Sequence, residues 1–265
     1  MSKALRITVF AASVLLVVGI GLWVVGASRS GSFLPTEKAF EKAEQKEQVV
    51  EEAFDRIVID EISADVELRA AEDGVCRIVY SQTEREPLEI YVKNGTLTLE
   101  RRTKKNLGLI SIGSVGGDLG TTTLYLPEAV YQTVNVQTVS GELSLKSGLS
   151  AKKLELETVS GNIGVSEMSP DLLTLSSVSG DQHLVRVTAG EIRCEATSGE
   201  IVLEACDAGQ LDLETISGDV TATLLTEKAV STSTTSGEVS VPNNRAAADP
   251  CRVETVSGDI RVETP

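Results

Sequence analysis

The stretch "LELETVSGNIGV", residues 154–165, consists of two short runs of alternating apolar and polar residues joined by a Ser-Gly step. The same phrase returns as "LDLETISGDVTA" at 211–222 and as "CRVETVSGDIRV" at 251–262. Alternation with a period of two is typical of a β-strand that buries one face. Each copy of the phrase therefore predicts two short strands that meet at a corner.

The Ser-Gly step recurs at a nearly constant interval. Successive serines are separated by 20, 19, 19, 19, 19 and 21 residues. A fixed period of this size is typical of stacked-repeat proteins. The seven predicted structural corners are Ser140 and Gly141, Ser160 and Gly161, Ser179 and Gly180, Ser198 and Gly199, Ser217 and Gly218, Ser236 and Gly237, and Ser257 and Gly258.

Aligning the repeats on these serines places apolar residues in four columns, at six and four residues before the serine and at three and five residues after it. This pattern predicts an all-β, single-stranded β-solenoid with rungs of about 19 residues. Glycine accepts positive φ at a tight corner, and the serine hydroxyl can bond the local backbone. The competing interpretation is a meander or barrel of Ser-Gly hairpins. The constant interval favours the solenoid, because stacked rungs penalise every change in repeat length.

Residues 131–265 hold the seven repeats, and residues 55–130 form a β-rich N-terminal part of the same solenoid. Asn94-Gly95 lies between two alternating runs and predicts a hairpin turn. The glycine-rich stretch 108–120 is expected to be a loop. The last strand ends at "DIRVETP", so we expect the edge of the final rung to be uncapped and blunted by its charges and Pro265.

The N-terminus predicts a membrane anchor. Residues 7–27 form an uncharged, apolar run that is long enough to cross a bilayer as a helix. Lys3 and Arg6 in the tail 1–6 favour a cytoplasmic N-terminus, with the remainder of the chain outside. A cleaved signal peptide is the alternative. Residues 28–54 are expected to form a helical juxtamembrane linker, because residues 36–54 are rich in the helix formers Glu, Lys, Gln and Ala.

The charge of the chain excludes one class of partner and suggests another. The net charge is −15, and residues 131–265 carry −11 of it, so a nucleic-acid partner is not expected. Acidic residues follow six of the seven corners and would stack as a ladder that could gather Ca²⁺ or merely solvate the corner. These are Glu142, Asp181, Glu200, Asp219, Glu238 and Asp259; Asn162 holds the seventh position.

The cysteines and the single histidine predict no catalytic centre. Cys194 and Cys251 replace aliphatic residues in the core columns, and neither the spacing nor the columns of the four cysteines suggests a disulfide framework or a zinc site. His183 falls in an outward column and is expected to be a surface residue. We therefore predict no catalytic residue, no metal site and no cofactor.

Several segments together resemble a known bacterial family. "IVIDEISADVEL", "VKNGTLTLE", "TTTLYLP" and the recurring Thr-x-Ser-Gly-Asp phrase are similar to a bacterial envelope family of unknown function with β-strand repeats, labelled "putative adhesin". Some members accompany envelope stress-response systems. The resemblance covers residues 55–265 and implies a right-handed β-helix, an extracytoplasmic location and no established catalytic residues. This sequence departs from the pattern at Gln182, where a local distortion of the rung is expected.

These observations predict a membrane-anchored, extracytoplasmic, non-catalytic protein that serves as an interaction, adhesin-like or envelope-stress accessory protein. Its expected partners are the membrane, through residues 7–27, and an envelope protein or surface ligand. The alternative function is a β-helix enzyme that acts on envelope polysaccharide. The scarcity of aromatic residues, 3% of the chain, disfavours that alternative, because sugar-binding sites commonly use aromatic platforms.

Overall fold

The computed structural model of the protein describes residues 43–102, 119–242 and 247–265. Every regular element in these residues is a β-strand. The strands are β1 Glu44–Val50, β2 Arg56–Asp60, β3 Asp65–Ala70, β4 Cys76–Gln82, β5 Leu88–Lys93, β6 Thr96–Arg101, β7 Thr121–Leu126, β8 Val130–Thr138, β9 Leu143–Leu145, β10 Ser150–Ser160, β11 Ile163–Ser166, β12 Leu172–Ser179, β13 Gln182–Val185, β14 Thr188–Ser198, β15 Ile201–Ser217, β16 Val220–Leu224, β17 Ala229–Ser233, β18 Val239–Ser240, β19 Pro250–Glu254 and β20 Ile260–Glu263.

The predicted cytoplasmic tail 1–6 and transmembrane helix 7–27 lie outside the described residues, as do residues 28–42 of the linker and most of the 108–120 loop. In the part of the chain that the structure describes, no helix is both long and apolar enough to cross a membrane.

The strands belong to two sheets, and each Ser-Gly corner of the repeats passes the chain from sheet B to sheet A. Sheet B has the strand order β5-β6-β2-β8-β10-β12-β14-β15-β19-β17. Sheet A has the order β1-β4-β7-β3-β9-β11-β13-β15-β16-β20-β18. The long strand β15 contributes its first half to sheet A and its second half to sheet B.

Equivalent residues of successive repeats are paired in parallel. Leu154 pairs with Val134 on one side and with Leu173 on the other, and the column continues through Ile192 to Leu211. This register confirms the stacked rungs and rules out the meander of successive hairpins, whose neighbours would be antiparallel. The handedness of the coil stays a prediction.

The apolar columns of both sheets form one continuous core. Leu154, Leu173, Val165 and Leu184 have no exposed surface, and most of their column neighbours are equally buried. Full burial of such a side chain stabilises the fold by roughly 1.5–3 kcal/mol. A complete rung supplies four of these residues, so hydrophobic burial between rungs is the main force that holds the stack together.

The four cysteines are unpaired and buried in this core, as predicted. Burial raises the pKa of Cys76 and of Cys251 to about 11, and it also raises the pKa of Cys194 and Cys206. A thiol with a raised pKa stays protonated at neutral pH and is therefore a poor nucleophile and metal ligand. These residues act as small apolar side chains.

Gln182 does not distort its rung, contrary to expectation. It is fully buried and keeps the register, paired with Ile163 on one side and Ile201 on the other. Its amide nitrogen donates to the Ser177 hydroxyl at 3.0 Å and to the Glu195 carbonyl at 2.7 Å. Because these bonds replace water as partners of the amide nitrogen, the polar side chain fits in an apolar column.

The rungs are not stacked in chain order at the C-terminal end. Strands β19 and β20, the last of the chain, lie between the rung of β15 and β16 and the rung of β17 and β18. The expected uncapped edge at the final strand is therefore wrong, since both of its edges are paired. The rung at the end of the stack is the sixth repeat, not the seventh.

At the N-terminal end, too, the order of the rungs in the stack differs from their order in the chain; we call this an inversion. Strands β2 and β3 lie between the rung of β6 and β7 and the rung of β8 and β9. Beyond them, β4 and β5 pair antiparallel with β7 and β6. The predicted Asn94-Gly95 hairpin joins β5 to β6, and both of its residues have positive φ.

The helical prediction for the linker is wrong over Glu44–Val50. These residues form β1, which pairs antiparallel with β4 along its whole length. The helix-forming composition is outweighed by the open edge of β4, because backbone pairing there satisfies groups that a short helix would have to leave exposed. Val50 packs against the core and anchors the end of the strand.

Two buried ion pairs secure the inverted ends. At the N-terminal end, the fully buried Glu61 carboxylate accepts hydrogen bonds from Arg101 at 2.7 and 3.1 Å, and Arg101 also donates to the Ser81 and Glu86 carbonyls. At the other end, the buried Lys228 ammonium lies 2.6 Å from Asp207 and donates to the Ala208 carbonyl at 2.7 Å. Removing one partner from such a pair leaves an uncompensated buried charge, which is strongly destabilising.

The corner glycines are required for a different reason from the one predicted. Only Gly180, Gly237 and Gly258 have positive φ, at 150–158° and near the extended region. A Cβ atom at Gly161 would instead lie 2.1 Å from the Gly141 carbonyl oxygen, and one at Gly199 would lie 2.3 Å from that of Gly180. The backbones of successive corners approach so closely that any side chain would collide with the rung below.

Replacing a corner glycine should therefore destabilise the stack. We expect Gly199→Ala to lower the free energy of unfolding by about 2–3 kcal/mol, because the Cβ would overlap rigid backbone atoms. Gly164→Ala is the matched control: it lies in the same stack, and its Cβ would meet nothing nearer than the Leu143 carbonyl oxygen at 4.0 Å. Urea unfolding of the purified proteins measures both. Equal effects of the two substitutions would contradict the close-contact explanation.

Candidate interaction surface

The acidic ladder binds the backbone of the neighbouring rung. The Asp181 carboxylate accepts a hydrogen bond from the backbone N–H of Glu200 at 2.8 Å, and Asn162 accepts one from Asp181 in the same way. Asp219 accepts from Asp259, and Asp259 accepts from Glu238, at 2.8 and 2.7 Å. These short side chains thus join successive corners by hydrogen bonds.

This geometry accounts for the aspartate and asparagine residues of the column, but not for its glutamates. Aspartate and asparagine have an acceptor oxygen at the right distance from the backbone to reach the next rung, and both residues use it in the same way. Within residues 43–102, 119–242 and 247–265, no group of three or more His, Cys, Asp or Glu side chains is placed to hold a metal ion. The aspartate and asparagine members of the ladder thus have a structural role, which is to bond successive corners.

A second acidic column lies on the outward face of sheet B. Glu195 pairs with Glu214, and Glu214 pairs with Glu254, so three carboxylates occupy equivalent positions on adjacent strands. Adjacent strands lie about 4.8 Å apart, and like charges placed directly opposite each other are destabilising. We call these three residues the sheet B carboxylate column.

The pKa values reflect this environment. Burial, followed by the charge of Glu214, raises the pKa of Glu195 above its usual value. Burial is also the main cause that raises the pKa of Glu214, to which Glu254 and Asp212 add while Arg252 opposes them. The side chains are half-buried, so solvent screens only part of the repulsion. The column favours protons or a cationic partner over anions.

The polysaccharide-enzyme alternative requires a carboxylic acid with a raised pKa near a second, free carboxylate. One depression of about 220 Å³ contains Asp65, Glu67 and Glu142. Although burial opposes the shift, hydrogen bonds from Arg69 and Lys146 hold the pKa of Glu67 below its usual value. Asp65 already accepts the backbone N–H of Glu142 at 2.8 Å. Glu67 therefore lacks the raised pKa that a general acid needs.

His183 lies on the surface, as predicted. It is on the outward face of sheet A, and its Nε2 atom lies 2.9 Å from the Glu204 carboxylate. Both side chains are half or more exposed. A surface ion pair of this kind contributes little to stability.

Two functional columns were not identified from the sequence. One is the sheet B carboxylate column. Its residues stand three positions before the corner serine, so the alignment of the repeats could have revealed it. The other is an inward Ser/Thr column two residues before the corner, in which Thr215 and Thr255 donate to the carbonyls of corner glycines in the adjacent rung. In these two repeats a threonine hydroxyl therefore bonds the backbone of the corner, which we had expected of the serines.

The fold and surface define an all-β repeat protein whose exposed faces are columns of polar side chains. The sequence model of Toastrack DUF4097, a domain of unknown function, matches residues 54–265, and the chain belongs to this family. A comparison with functionally curated proteins gives no match.

The fold is shared with a solved structure of low sequence identity. A "putative adhesin" from Bacteroides fragilis is 16% identical, with a TM-score of 0.54 over 88% of this chain and 100% of that chain. Two proteins from Parabacteroides distasonis are similar to a lesser degree. A "putative lipid binding protein" has a TM-score of 0.45, 18% identity and coverage of 86% and 99%. A "putative adhesin" has a TM-score of 0.43, 17% identity and coverage of 85% and 98%.

The hydrogen bonds of the acidic ladder can be tested at one position. We expect Asp219→Ala to destabilise the protein by about 1 kcal/mol, because the Asp259 N–H loses its acceptor. Asp219→Asn should retain most of the stability, since Asn162 makes the same bond in its own rung. Glu200→Ala controls for the removal of one negative charge from the same column. Equal stability of Asp219→Ala and Glu200→Ala would contradict a structural ladder. A greater loss of stability in Asp219→Asn than in Asp219→Ala would also contradict it.

The sheet B carboxylate column should make stability depend on pH. Because folding raises the pKa of Glu195, the folded chain binds protons more tightly than the unfolded chain, and this contribution to stability increases as the pH falls toward the ordinary glutamate pKa. Glu195→Gln should therefore stabilise the protein by about 0.5 kcal/mol at pH 7 and have no effect once glutamate is protonated.

Glu157→Gln is the matched control for this pH experiment. Glu157 occupies the same column, but its paired neighbours are Gln137 and Ser176, which carry no charge. Thermal unfolding of both variants between acidic and neutral pH measures the difference. An equal stabilisation by both substitutions would contradict repulsion within the column.

Proposed function

We propose that this chain is a membrane-anchored, extracytoplasmic and non-catalytic interaction protein of adhesin-like type, which serves as an accessory of the bacterial envelope. Residues 7–27 form the anchor, and the stacked strands form the body that meets an envelope protein or surface ligand. The coil of the body is right-handed in this proposal, as in the resemblance noted for the sequence.

The observation that carries this proposal is the position at which the chain enters the stack. The first described strand, β1, is the outermost strand of sheet A at one end. Any anchor that precedes β1 attaches at that end, so the rungs extend away from the bilayer in a single direction. This arrangement suits a protein that presents a surface at a distance from its membrane.

The charge and the surface columns support the same function. The repeats contribute −11 of the net charge of −15, so anionic headgroups and wall polymers repel the body and hold it away from the membrane. The outward faces offer regular columns of polar side chains, which suit broad, shallow contacts. The "putative adhesin" from Bacteroides fragilis shares the fold, and its name agrees with this function.

The topology can be tested by protease accessibility in intact spheroplasts. We expect the full chain to sediment with membranes, and its body to be digested by external protease while a cytoplasmic marker stays intact. A variant that lacks residues 7–27 should remain in the soluble cytoplasmic fraction. A body that is protected in intact spheroplasts and becomes accessible only after lysis would contradict the proposal.

Binding can be tested with native envelopes. The purified full chain in detergent should bind washed envelopes saturably, and an excess of unlabelled chain should compete. Incubation with envelope polysaccharide should release no new reducing ends. Release of such ends would support the enzymatic alternative, and the absence of saturable binding would contradict an interaction role.

A further inference from the structure

The C-terminal end of the stack consists of two strands that are each paired on one side only. Among the described residues, β17 pairs with β19 alone and β18 pairs with β20 alone. The Ala229 N–H donates to the Asp249 carbonyl and the Ser233 carbonyl accepts from the Thr255 N–H, so both bond inward to the residues that flank β19. Since bonding alternates along a parallel strand, Val230 and Thr232 present their backbone N–H and C=O groups to the open side.

The core is also incompletely covered at this end. Val239 occupies the same column as Val220 and Ile260, which are 0% and 1% exposed, but 44% of its own surface is exposed. Val230 and Val241, in two other core columns, are only partly buried. An apolar column that is buried in the preceding rungs thus reaches solvent at the last one.

The charge at this end differs from that of the rest of the protein. Residues 229–237, "AVSTSTTSG", contain no charged side chain, in a chain with a net charge of −15. The outermost strands of the opposite end carry Glu44, Lys46 and Glu47 on β1, and Glu89 and Lys93 on β5. Charged side chains on edge strands hinder association, and the β17 edge lacks this protection, whereas Glu238 precedes β18 at the corner of the same rung.

We infer that this open end is an interface that binds the open end of a second copy of the chain. Two acidic bodies repel each other along their sides, so contact through the uncharged β17 edges carries a smaller electrostatic penalty. The exposed Val239 and the backbone groups of β17 that pair with no strand among the described residues supply apolar area and hydrogen bonds for the contact.

The interface is isologous. A two-fold axis perpendicular to the stack makes the edge strands of the two copies antiparallel, which allows a regular hydrogen-bond ladder.

This inference deepens the proposed function and rests on it in one respect. With the anchor at the β1 end, the open end faces away from the membrane, so the contact joins copies on opposing surfaces.

Sedimentation velocity of the full chain in a non-ionic detergent tests the inference. The protein concentration should run from about 1 to about 100 μM, which covers the dissociation constants of weak interfaces. We expect pairs that form reversibly and more tightly as salt is raised, because salt screens the repulsion between the two bodies. Val239→Lys should weaken the pairing at least about tenfold by placing like charges at the contact.

Val139→Lys is the matched control, because Val139 is 50% exposed and lies on a flank remote from the open end. Thr232→Pro is a second test variant, since it removes an outward N–H and no hydrogen bond within the stack. The thermal unfolding midpoints of all variants should stay near that of the unmodified chain, which shows that loss of pairing is not loss of folding.

Three results would overturn the inference: the absence of pairs over the whole concentration range, equal weakening by Val239→Lys and Val139→Lys, or pairing that weakens with salt. If Val239→Lys abolishes binding to native envelopes while the unmodified chain never self-associates, the occupant of the end is a different protein. If the pairs are absent but envelope binding persists in every variant, the adhesin-like function stands without this interface.

Discussion

The close contact between the backbones of successive corners is the constraint on which the rest of the structure depends. A Cβ atom on the corner glycines would lie 2.0–2.3 Å from a carbonyl oxygen of the adjacent rung, so only glycine fits. Because this contact is made once in every repeat, each rung is placed on its neighbour at one lateral position. The strands on both sides of the corner are then forced into register. A repeat one residue longer must accommodate the extra residue away from this corner.

In-register stacking is favourable for the apolar side chains inside the stack and unfavourable for the like-charged side chains outside it. Inside, superposed aliphatic residues bury one another, at roughly 1.5–3 kcal/mol for each side chain. Outside, the same superposition places like charges side by side, as in the column of Glu195, Glu214 and Glu254, at a cost of about 0.2–1 kcal/mol for each pair. Because four core residues are buried in each complete rung, burial outweighs the repulsion. The aspartates of the corner reduce their own cost by accepting backbone hydrogen bonds, which the outward carboxylates of sheet B do not do.

The period of the Ser-Gly steps was sufficient to predict the columns, the rungs and the burial of Cys194 and Cys251, because column membership depends only on position within the repeat. The order of the rungs could not be predicted in this way. Ile260 pairs with both Val220 and Val239, and nothing in the periodicity indicates which rung lies at the end. The strand at Glu44–Val50 was missed because its composition favours a helix, whereas its conformation is decided by a tertiary contact with β4. The Asp-to-backbone bonds were missed because the alignment shows which residues stack but not which atoms meet.

The inverted order of the rungs explains why the two ends of one regular stack differ in character. At the C-terminal end, β17 and β18 form the terminal rung, and the strands that follow them, β19 and β20, form the rung next to it. The chain therefore connects the terminal rung to inner rungs both before β17 and after β18. The buried Lys228 ammonium, held by Asp207 and the Ala208 carbonyl, fixes the segment that leads into this rung. An edge strand held in this way frays less than a free chain terminus, and an ordered edge loses less conformational entropy when it binds a partner. At the N-terminal end the same inversion is covered by β1, β4 and β5, whose pairing and charges leave no comparable neutral edge. The stack is thus covered by β1, β4 and β5 at its N-terminal end, and it presents an ordered strand edge at its C-terminal end.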